Sequence, residues 1–135
     1  MADEKQQTLG AVSPCFIVSD VPRALEFYVG KLGFEVRFRE PEEDPFFAIA
    51  GRDSVQIFLK AVSPEVVAQP NHTRHEWVPW DAFVYVSDPD GLAVEFAGRG
   101  ATFYREITNR GDGLRGFEIS DPDGYVLFFG RPVAD

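Results

Sequence analysis

Apolar and polar positions in the first half of the chain form alternating strand-like and helix-like stretches. Residues 11–18 form an apolar run rich in Val, Ile and Phe, which predicts a strand. The apolar positions of residues 22–31 recur at helical spacing. Residues 34–39 alternate between apolar and polar types, and residues 46–50 and 54–60 predict a hairpin. The first half therefore predicts a βαβββ unit.

The second half repeats this order of elements. Residues 82–86 predict a strand, residues 90–99 a helix and residues 102–108 a second strand. Residues 116–120 and 125–130 predict a closing hairpin. The second half is thus a second βαβββ unit.

The two halves also share short sequences at matching places. Val18-Ser19-Asp20 recurs as Val86-Ser87-Asp88, and residues 54–59 parallel residues 124–129. Two copies of one unit imply a pseudo-two-fold fold with a shared cleft. Asp20 is expected to cap the first helix, because Asp is a preferred residue at that position.

These patterns divide the chain into four parts. Residues 1–10 form a polar N-terminal segment, residues 11–60 the first module, residues 61–80 a connector with a short helix near Pro64, and residues 81–131 the second module. Each module is too small to bury a sufficient core alone. The two are therefore expected to form one structural domain.

Composition narrows the range of partners. A 44% apolar content with 13 Phe residues excludes a disordered chain. The net charge of −9 repels phosphate backbones and anionic membranes, so neither nucleic acid nor a membrane is an expected partner. The same charge favours either attraction of a cationic ligand or simple solubility.

The N-terminal segment and the single cysteine bear on location. No apolar run reaches membrane-spanning length, and residues 1–10 lack the pattern of a signal peptide. Cys15 lies in an apolar run, which predicts a buried thiol. A cytoplasmic location is expected.

The chain resembles the vicinal oxygen chelate superfamily, which includes glyoxalases, bleomycin-resistance proteins and extradiol dioxygenases. The resemblance rests on Val18-Ser19-Asp20, Phe27-Tyr28, Leu32-Gly33-Phe34, residues 117–124 and Phe128-Phe129. It implies an α+β fold of two tandem βαβββ modules, whose curved mixed sheets enclose a cleft. It also implies a homodimer.

Metal-dependent members of this superfamily carry ligands on the first and fourth strands of each module. The corresponding first-strand positions here are Ser13 and Asp81, and the fourth-strand positions are Phe58 and Phe128. Phenylalanine has no electron pair to donate to a cation, and a shift of one residue creates no ligand cluster. The sequence therefore predicts no metal site and no cofactor.

The two histidines provide another candidate metal site. His72 and His75 are three residues apart, which would place both imidazoles on one helical face as a zinc pair. They lie in a connector flanked by prolines and do not match the HExxH pattern. This context favours exposed loop histidines.

A mostly aromatic set is predicted to line the cleft or its rim. Its members are Phe38, Phe47, Phe58, Trp80, Asp81, Phe83, Tyr85, Tyr104 and Phe128. Aromatic faces bind planar or cationic ligands, and Asp81 offers a charge-assisted contact. The alternatives are that the phenylalanines fill a former metal cavity and that Asp81 is solvent exposed.

Pro14, Phe83 and Tyr85 make the chain most similar to bleomycin-resistance members. This resemblance implies a metal-independent homodimer that sequesters a small cationic or aromatic molecule, such as a bleomycin-type antibiotic. One alternative is a divalent-metal-dependent lyase, isomerase or dioxygenase, whose atypical ligands would be drawn from Asp81, Glu118, His72 and His75. Another is an inert subunit or sensor whose cleft is filled.

Overall fold

The computed structural model describes residues 8–133. Residues 1–7 of the predicted polar segment lie outside the described residues. The first module consists of β1 (Cys15–Ile17), α1 (Val21–Leu32), β2 (Glu35–Glu40), β3 (Phe47–Arg52) and β4 (Val55–Lys60). The second consists of β5 (Ala82–Tyr85), α2 (Pro89–Gly98), β6 (Phe103–Asn109), β7 (Leu114–Ser120) and β8 (Val126–Pro132).

Each module forms its own mixed sheet of four strands. The strand orders are β1-β4-β3-β2 and β5-β8-β7-β6, with β1 parallel to β4 and β5 parallel to β8. The remaining neighbours are antiparallel. The prediction of an α+β fold with two βαβββ modules is confirmed.

Both helices begin directly after the repeated Val-Ser-Asp tripeptide. The Asp20 carboxylate accepts a hydrogen bond from the Arg23 N–H at 3.1 Å, and that of Asp88 accepts one from the Gly91 N–H at 3.2 Å. At the end of α1, Gly33 adopts a left-handed conformation with φ of 73°. Glycine suits this position because it has no Cβ to clash.

Two expectations about the first strand are wrong. The strand covers Cys15–Ile17 rather than residues 11–18, and Pro14 just before it has no N–H to donate to a ladder. Cys15 is exposed instead of buried. Phe16 points into the core, and successive strand residues face opposite sides, so Cys15 points away from it.

The connector differs from expectation in one respect. Its short 3₁₀ helix covers Asn71–Thr73 rather than the region of Pro64. Near Pro64 the chain makes a turn in which the Val66 N–H donates to the Ser63 carbonyl at 2.9 Å. Within residues 8–133, no helix is long and apolar enough to cross a membrane.

Both modules contribute to one hydrophobic core. Helix α1 packs on β2, β3 and β4, and α2 packs on β6, β7 and β8. A single cluster of buried residues includes side chains from both modules. Phe16 of the first module stacks on Tyr125 of the second, with ring centroids 4.2 Å apart. The modules therefore pack together through their helix-covered sides.

Polar contacts reinforce this junction. The Tyr28 hydroxyl donates to the buried carboxylate of Asp121 at 2.9 Å, across the two modules. Asp121 also accepts hydrogen bonds from the backbone N–H groups of Asp123 and Tyr125, each at 2.9 Å. Arg52 and Glu95 form a second link through two N–H···O bonds of 3.0 and 2.9 Å.

Burial raises the pKa of Asp121 to about 6, although its three donors oppose the shift. The unfolded carboxyl has a pKa of about 3.9, so the folded state binds more protons between these values. The free energy of unfolding therefore falls as pH rises through this window, by at most about 3 kcal/mol. Asp121→Asn retains an acceptor for the backbone donors and does not titrate.

We expect the wild-type protein to lose about 1–3 kcal/mol relative to Asp121→Asn between pH 4 and pH 7. Urea unfolding of both proteins across this range measures the difference. Parallel pH curves would contradict a buried, titrating Asp121.

Candidate functional site

Each sheet has one face outside the shared core, and we call it the open face. The first open face carries Cys15, Phe38, Phe47, Ile49 and Phe58. The second open face carries Phe83, Tyr85, Glu118 and Phe128. None of these nine residues belongs to the described core cluster of residues 8–133. Phe38 and Tyr85 are exposed there, whereas Glu118 and Phe128 are buried beneath neighbouring side chains.

The first open face presents a line of phenylalanines. The ring centroids of Phe38 and Phe47 are 6.0 Å apart, and those of Phe47 and Phe58 are 5.7 Å apart. The Lys60 ammonium group lies 6.0 Å from the Phe47 centroid. The face is thus apolar with a cation at its edge.

The second open face carries a more compact group, which we call the aromatic cluster: Trp80, Phe83, Tyr85 and Phe128. The Phe83 and Phe128 rings are stacked, with centroids 4.9 Å apart and planes 13° apart. The ring centroid of Trp80 lies 5.6 Å from that of Phe83 and 5.9 Å from that of Phe128. Tyr85 is 75% exposed. The cluster thus ranges from a buried base to an exposed rim.

A buried carboxylate lies directly beside the aromatic cluster. Glu118 is the strand partner of Phe128 on one side and of Arg105 on the other. Only 1% of Glu118 is exposed. Arg110 Nη1 donates to Glu118 Oε2 at 3.1 Å, and Arg105 Nε lies 3.6 Å from Oε1. Burial raises the pKa of Glu118, and the two guanidinium groups oppose this rise.

The Glu118 oxygens differ in their partners. Within the described part of the chain, Oε1 accepts no hydrogen bond. Glu118 borders a cavity of about 370 Å³, together with Arg105, Arg110 and Phe128. The Arg110 guanidinium carbon lies 5.0 Å from the Phe128 ring centroid, within the range of a cation–π contact. The cavity thus combines an aromatic wall with a carboxylate that has unused acceptor capacity.

Two glycines make room for the Phe128 ring. Gly116 and Gly130 are strand partners on β7 and β8. A Cβ at Gly116 would lie 2.8 Å from Phe128 Cε1, and one at Gly130 would lie 2.6 Å from the same atom. A side chain at either position would therefore clash with the Phe128 ring.

A second cavity, of about 410 Å³, opens between the modules. Arg52 and Glu95 line it and are bonded to each other, and Asp88 there caps α2. These groups already have structural partners. We therefore place the candidate site at the second open face, where Glu118 has an unused oxygen.

The residues predicted from the sequence do not form one site within this chain. Trp80, Phe83, Tyr85 and Phe128 form the aromatic cluster, whereas the three predicted phenylalanines of the first module lie on the other sheet. Tyr104 contacts the His72 ring, with centroids 5.5 Å apart.

Asp81 has two backbone partners in this structure. Its Oδ1 accepts a hydrogen bond from the Asn71 N–H at 2.8 Å, and its Oδ2 accepts one from the Val126 N–H at 2.9 Å. The carboxylate therefore fastens the connector to β8. Ser13, the other first-strand position, precedes β1 and is half-buried.

The histidines have different environments. His75 is exposed, as expected, but His72 is half-buried and its Nε2 lies 2.9 Å from the Gly124 carbonyl oxygen. The expectation of an exposed histidine is therefore wrong for His72. Over residues 8–133, no three His, Cys, Asp or Glu side chains come together as candidate metal ligands.

The sequence does not predict the pairing of Arg110 with Glu118, and Glu118 is named there only as an alternative metal ligand. One sequence signal does indicate which face of the strand Glu118 occupies. Phe117 and Ile119 are apolar neighbours of Glu118, and alternation places Glu118 on the opposite face from them. The position of Arg110 in a loop gave no comparable signal.

A family model described as Glyoxalase/Bleomycin resistance protein/Dioxygenase superfamily matches residues 9–129. No curated protein matches the chain. Several solved structures share the fold at low sequence identity.

TioX from Micromonospora sp. ML1 is 20% identical, with a TM-score of 0.69 and coverage of 92% of this chain and 100% of that chain. TnmS3, described as an antibiotic binding protein from Streptomyces sp. CB03234, is 21% identical, with a TM-score of 0.68 and coverage of 94% and 99%. A glyoxalase/bleomycin resistance protein/dioxygenase from Alicyclobacillus acidocaldarius is 21% identical, with a TM-score of 0.70 and coverage of 93% of both chains.

The glycine pair gives a stability prediction. Gly130→Ala should lower the free energy of unfolding by about 1–3 kcal/mol, because the new Cβ meets the Phe128 ring and backbone atoms. Gly30→Ala in α1 is the control, since open space surrounds its Cβ position, and it should stabilise by about 0.5–1 kcal/mol. Urea unfolding measures both changes, and equal effects would contradict the packing described for Phe128.

Proposed function

The chain belongs to the glyoxalase/bleomycin resistance protein/dioxygenase superfamily, and we propose that the protein sequesters a small aromatic or cationic molecule without a metal ion. The aromatic cluster carries this proposal, because it provides stacking surfaces beside a cavity that also holds a carboxylate. A bleomycin-type antibiotic is the first ligand to test. TnmS3, which shares the fold, is described as an antibiotic binding protein.

The chemistry of the candidate ligand positions supports metal independence. Phe58 and Phe128 occupy the fourth-strand positions at which the resemblance to metal-dependent members implies ligands. Neither side chain can coordinate a cation. The Asp81 carboxylate accepts a backbone N–H with each of its oxygens. Stacking is the interaction that Phe58 and Phe128 offer a ligand.

The exposed aromatic residues support a homodimer. Phe38 is 47% exposed on the first open face, and Tyr85 is 75% exposed on the second. We propose that the first open face of one chain covers the second open face of its partner, with the ligand enclosed between them. This arrangement would bring the predicted aromatic residues of both sheets to one site.

We further propose that the protein acts in the cytoplasm. Cys15 is the single cysteine of the chain and is free. A chain with one free cysteine suits a reducing compartment, where disulfide formation is disfavoured.

Calorimetry with copper-free and copper-loaded bleomycin, together with elemental metal analysis of the same preparation, tests the proposed function. We expect the metal-free protein to bind the drug. Adding a chelator to the mixture of protein and copper-free drug should leave the affinity unchanged. Phe83→Ala should weaken the affinity by about tenfold or more, because it removes the ring stacked on Phe128. Val94→Ala, an exposed apolar position on α2, is the matched control. Stoichiometric metal with no affinity for the drug would contradict the proposal.

Sedimentation tests the dimer separately. We expect the wild-type protein to sediment as a dimer and Tyr85→Arg to sediment as a monomer, because a charge on the second open face disfavours burial of that face. Val94→Arg places the same charge on an exposed position of α2 and should leave the dimer intact. A monomeric wild-type protein at micromolar concentration would contradict the arrangement.

A further inference from the structure

Glu118 is a buried carboxylate at a strand position where the first module carries an apolar residue. In the second sheet, Phe83, Phe128, Glu118 and Arg105 form a row across the four strands. The matching row of the first sheet consists of Cys15, Phe58, Ile49 and Phe38. Ile49 thus occupies the position in the first module that Glu118 occupies in the second.

This comparison indicates a role for Glu118 beyond stability. The same strand position accepts an apolar residue in the first module, and replacing buried ionic groups by apolar residues is often neutral or stabilising. A buried carboxylate with an oxygen that accepts no hydrogen bond within residues 8–133 is costly. Binding of a donor group at that oxygen would offset the cost.

Arg110 shows which kind of group fits beside Glu118. Its guanidinium is a planar cation that lies over the Phe128 ring and donates to Glu118 Oε2. It combines a stacking contact with a charge-assisted hydrogen bond. A planar cation that carries N–H donors can thus make both contacts at this place in the cavity.

Arg110 also has a partner that it can keep when it leaves this position. Its Nη2 lies 3.2 Å from Asp112 Oδ2, and both residues belong to the loop between β6 and β7. Rotation of the Arg110 side chain toward Asp112 would uncover Phe128 and Glu118 without leaving the guanidinium unpaired.

We infer that Glu118 and Phe128 form a subsite for a planar cation of the amidinium or guanidinium type, which takes the place of the Arg110 guanidinium. The ligand group stacks on Phe128 and donates N–H groups to the Glu118 carboxylate, including Oε1. This inference rests on the proposed function, because it specifies which part of a sequestered ligand the second open face recognises.

An anionic ligand fits the cavity less well. The two arginines that border it already lie against Glu118, at 3.1 Å for Arg110 and 3.6 Å for Arg105. An anion would compete with Glu118 for these partners and would lie close to its buried negative charge. A cation replaces one partner of Glu118 with another and leaves the carboxylate paired.

Calorimetry with benzamidinium, a flat aromatic amidinium, tests the subsite directly. Arg110→Ala should bind benzamidinium about tenfold more tightly than the wild-type protein, because the competing guanidinium is gone. Adding Glu118→Gln to Arg110→Ala should remove about tenfold or more of that affinity. Benzamide, which has a similar shape and no charge, should bind both variants weakly.

Glu106→Gln in the Arg110→Ala background is the matched control. Glu106 carries the same charge and borders the same cavity, but it is exposed. Its substitution should change the benzamidinium affinity by less than about twofold, because exposed charges are screened. Equal losses for Glu106→Gln and Glu118→Gln would overturn the inference, since they would show a general effect of negative charge.

Glu118→Ile keeps the test valid if the glutamine variant does not fold. It copies Ile49 of the first module, and in the Arg110→Ala background it removes a carboxylate that has lost its Arg110 partner, so the Tm of the double variant should equal or exceed that of Arg110→Ala. It should also lose benzamidinium binding when combined with Arg110→Ala. A Glu118→Ile, Arg110→Ala protein that still binds benzamidinium would overturn the inference.

The result also separates the two proposals. Bleomycin binding that depends on Phe83, with no benzamidinium binding to Arg110→Ala, would overturn the subsite and leave sequestration intact. Benzamidinium binding that depends on Glu118, without bleomycin affinity, would support the subsite and count against this drug as the ligand.

Discussion

The shared core between the two modules is the constraint on which the rest of the structure depends. One cluster of buried residues includes side chains from both modules. The modules pack their helix-covered sides together, with Phe16 stacked on Tyr125 and the Tyr28 hydroxyl bonded to Asp121. The opposite faces of both sheets lie outside this core. Two of their aromatic residues, Phe38 and Tyr85, are exposed to contact with other molecules.

Much of the fold follows from local patterns in the sequence. The repeated Val-Ser-Asp tripeptide and the alternation along the strands predict two βαβββ modules, because capping and side-chain alternation are local properties. Alternation also places Phe58 and Phe128 at matching positions on their sheets. The sequence predicts Phe83 and Phe128 at the cleft. The parallel pairing of β5 with β8 places these two residues side by side, and their rings are stacked.

The contacts of the charged residues could not be predicted in this way. Asp81 accepts hydrogen bonds from the N–H groups of Asn71 and Val126. Val126 is far from Asp81 in the sequence, so the sequence alone does not show that the two residues are close in space. Arg110 reaches Glu118 from a loop, whose conformation depends on the register of β6 and β7. The irregular register of β6 further obscures which residues oppose Glu118. Such pairings depend on tertiary structure.

The opposed glycines of β7 and β8 limit which side chains residue 128 accepts. Gly116 and Gly130 leave a space that the Phe128 ring fills. A single change of Phe128 to a carboxylate residue would leave part of that space empty, and voids in a packed region cost stability. Placing a metal ligand at residue 128 while keeping the packing would therefore require further changes that fill this space. The glycine pair thus favours a large aromatic side chain at residue 128.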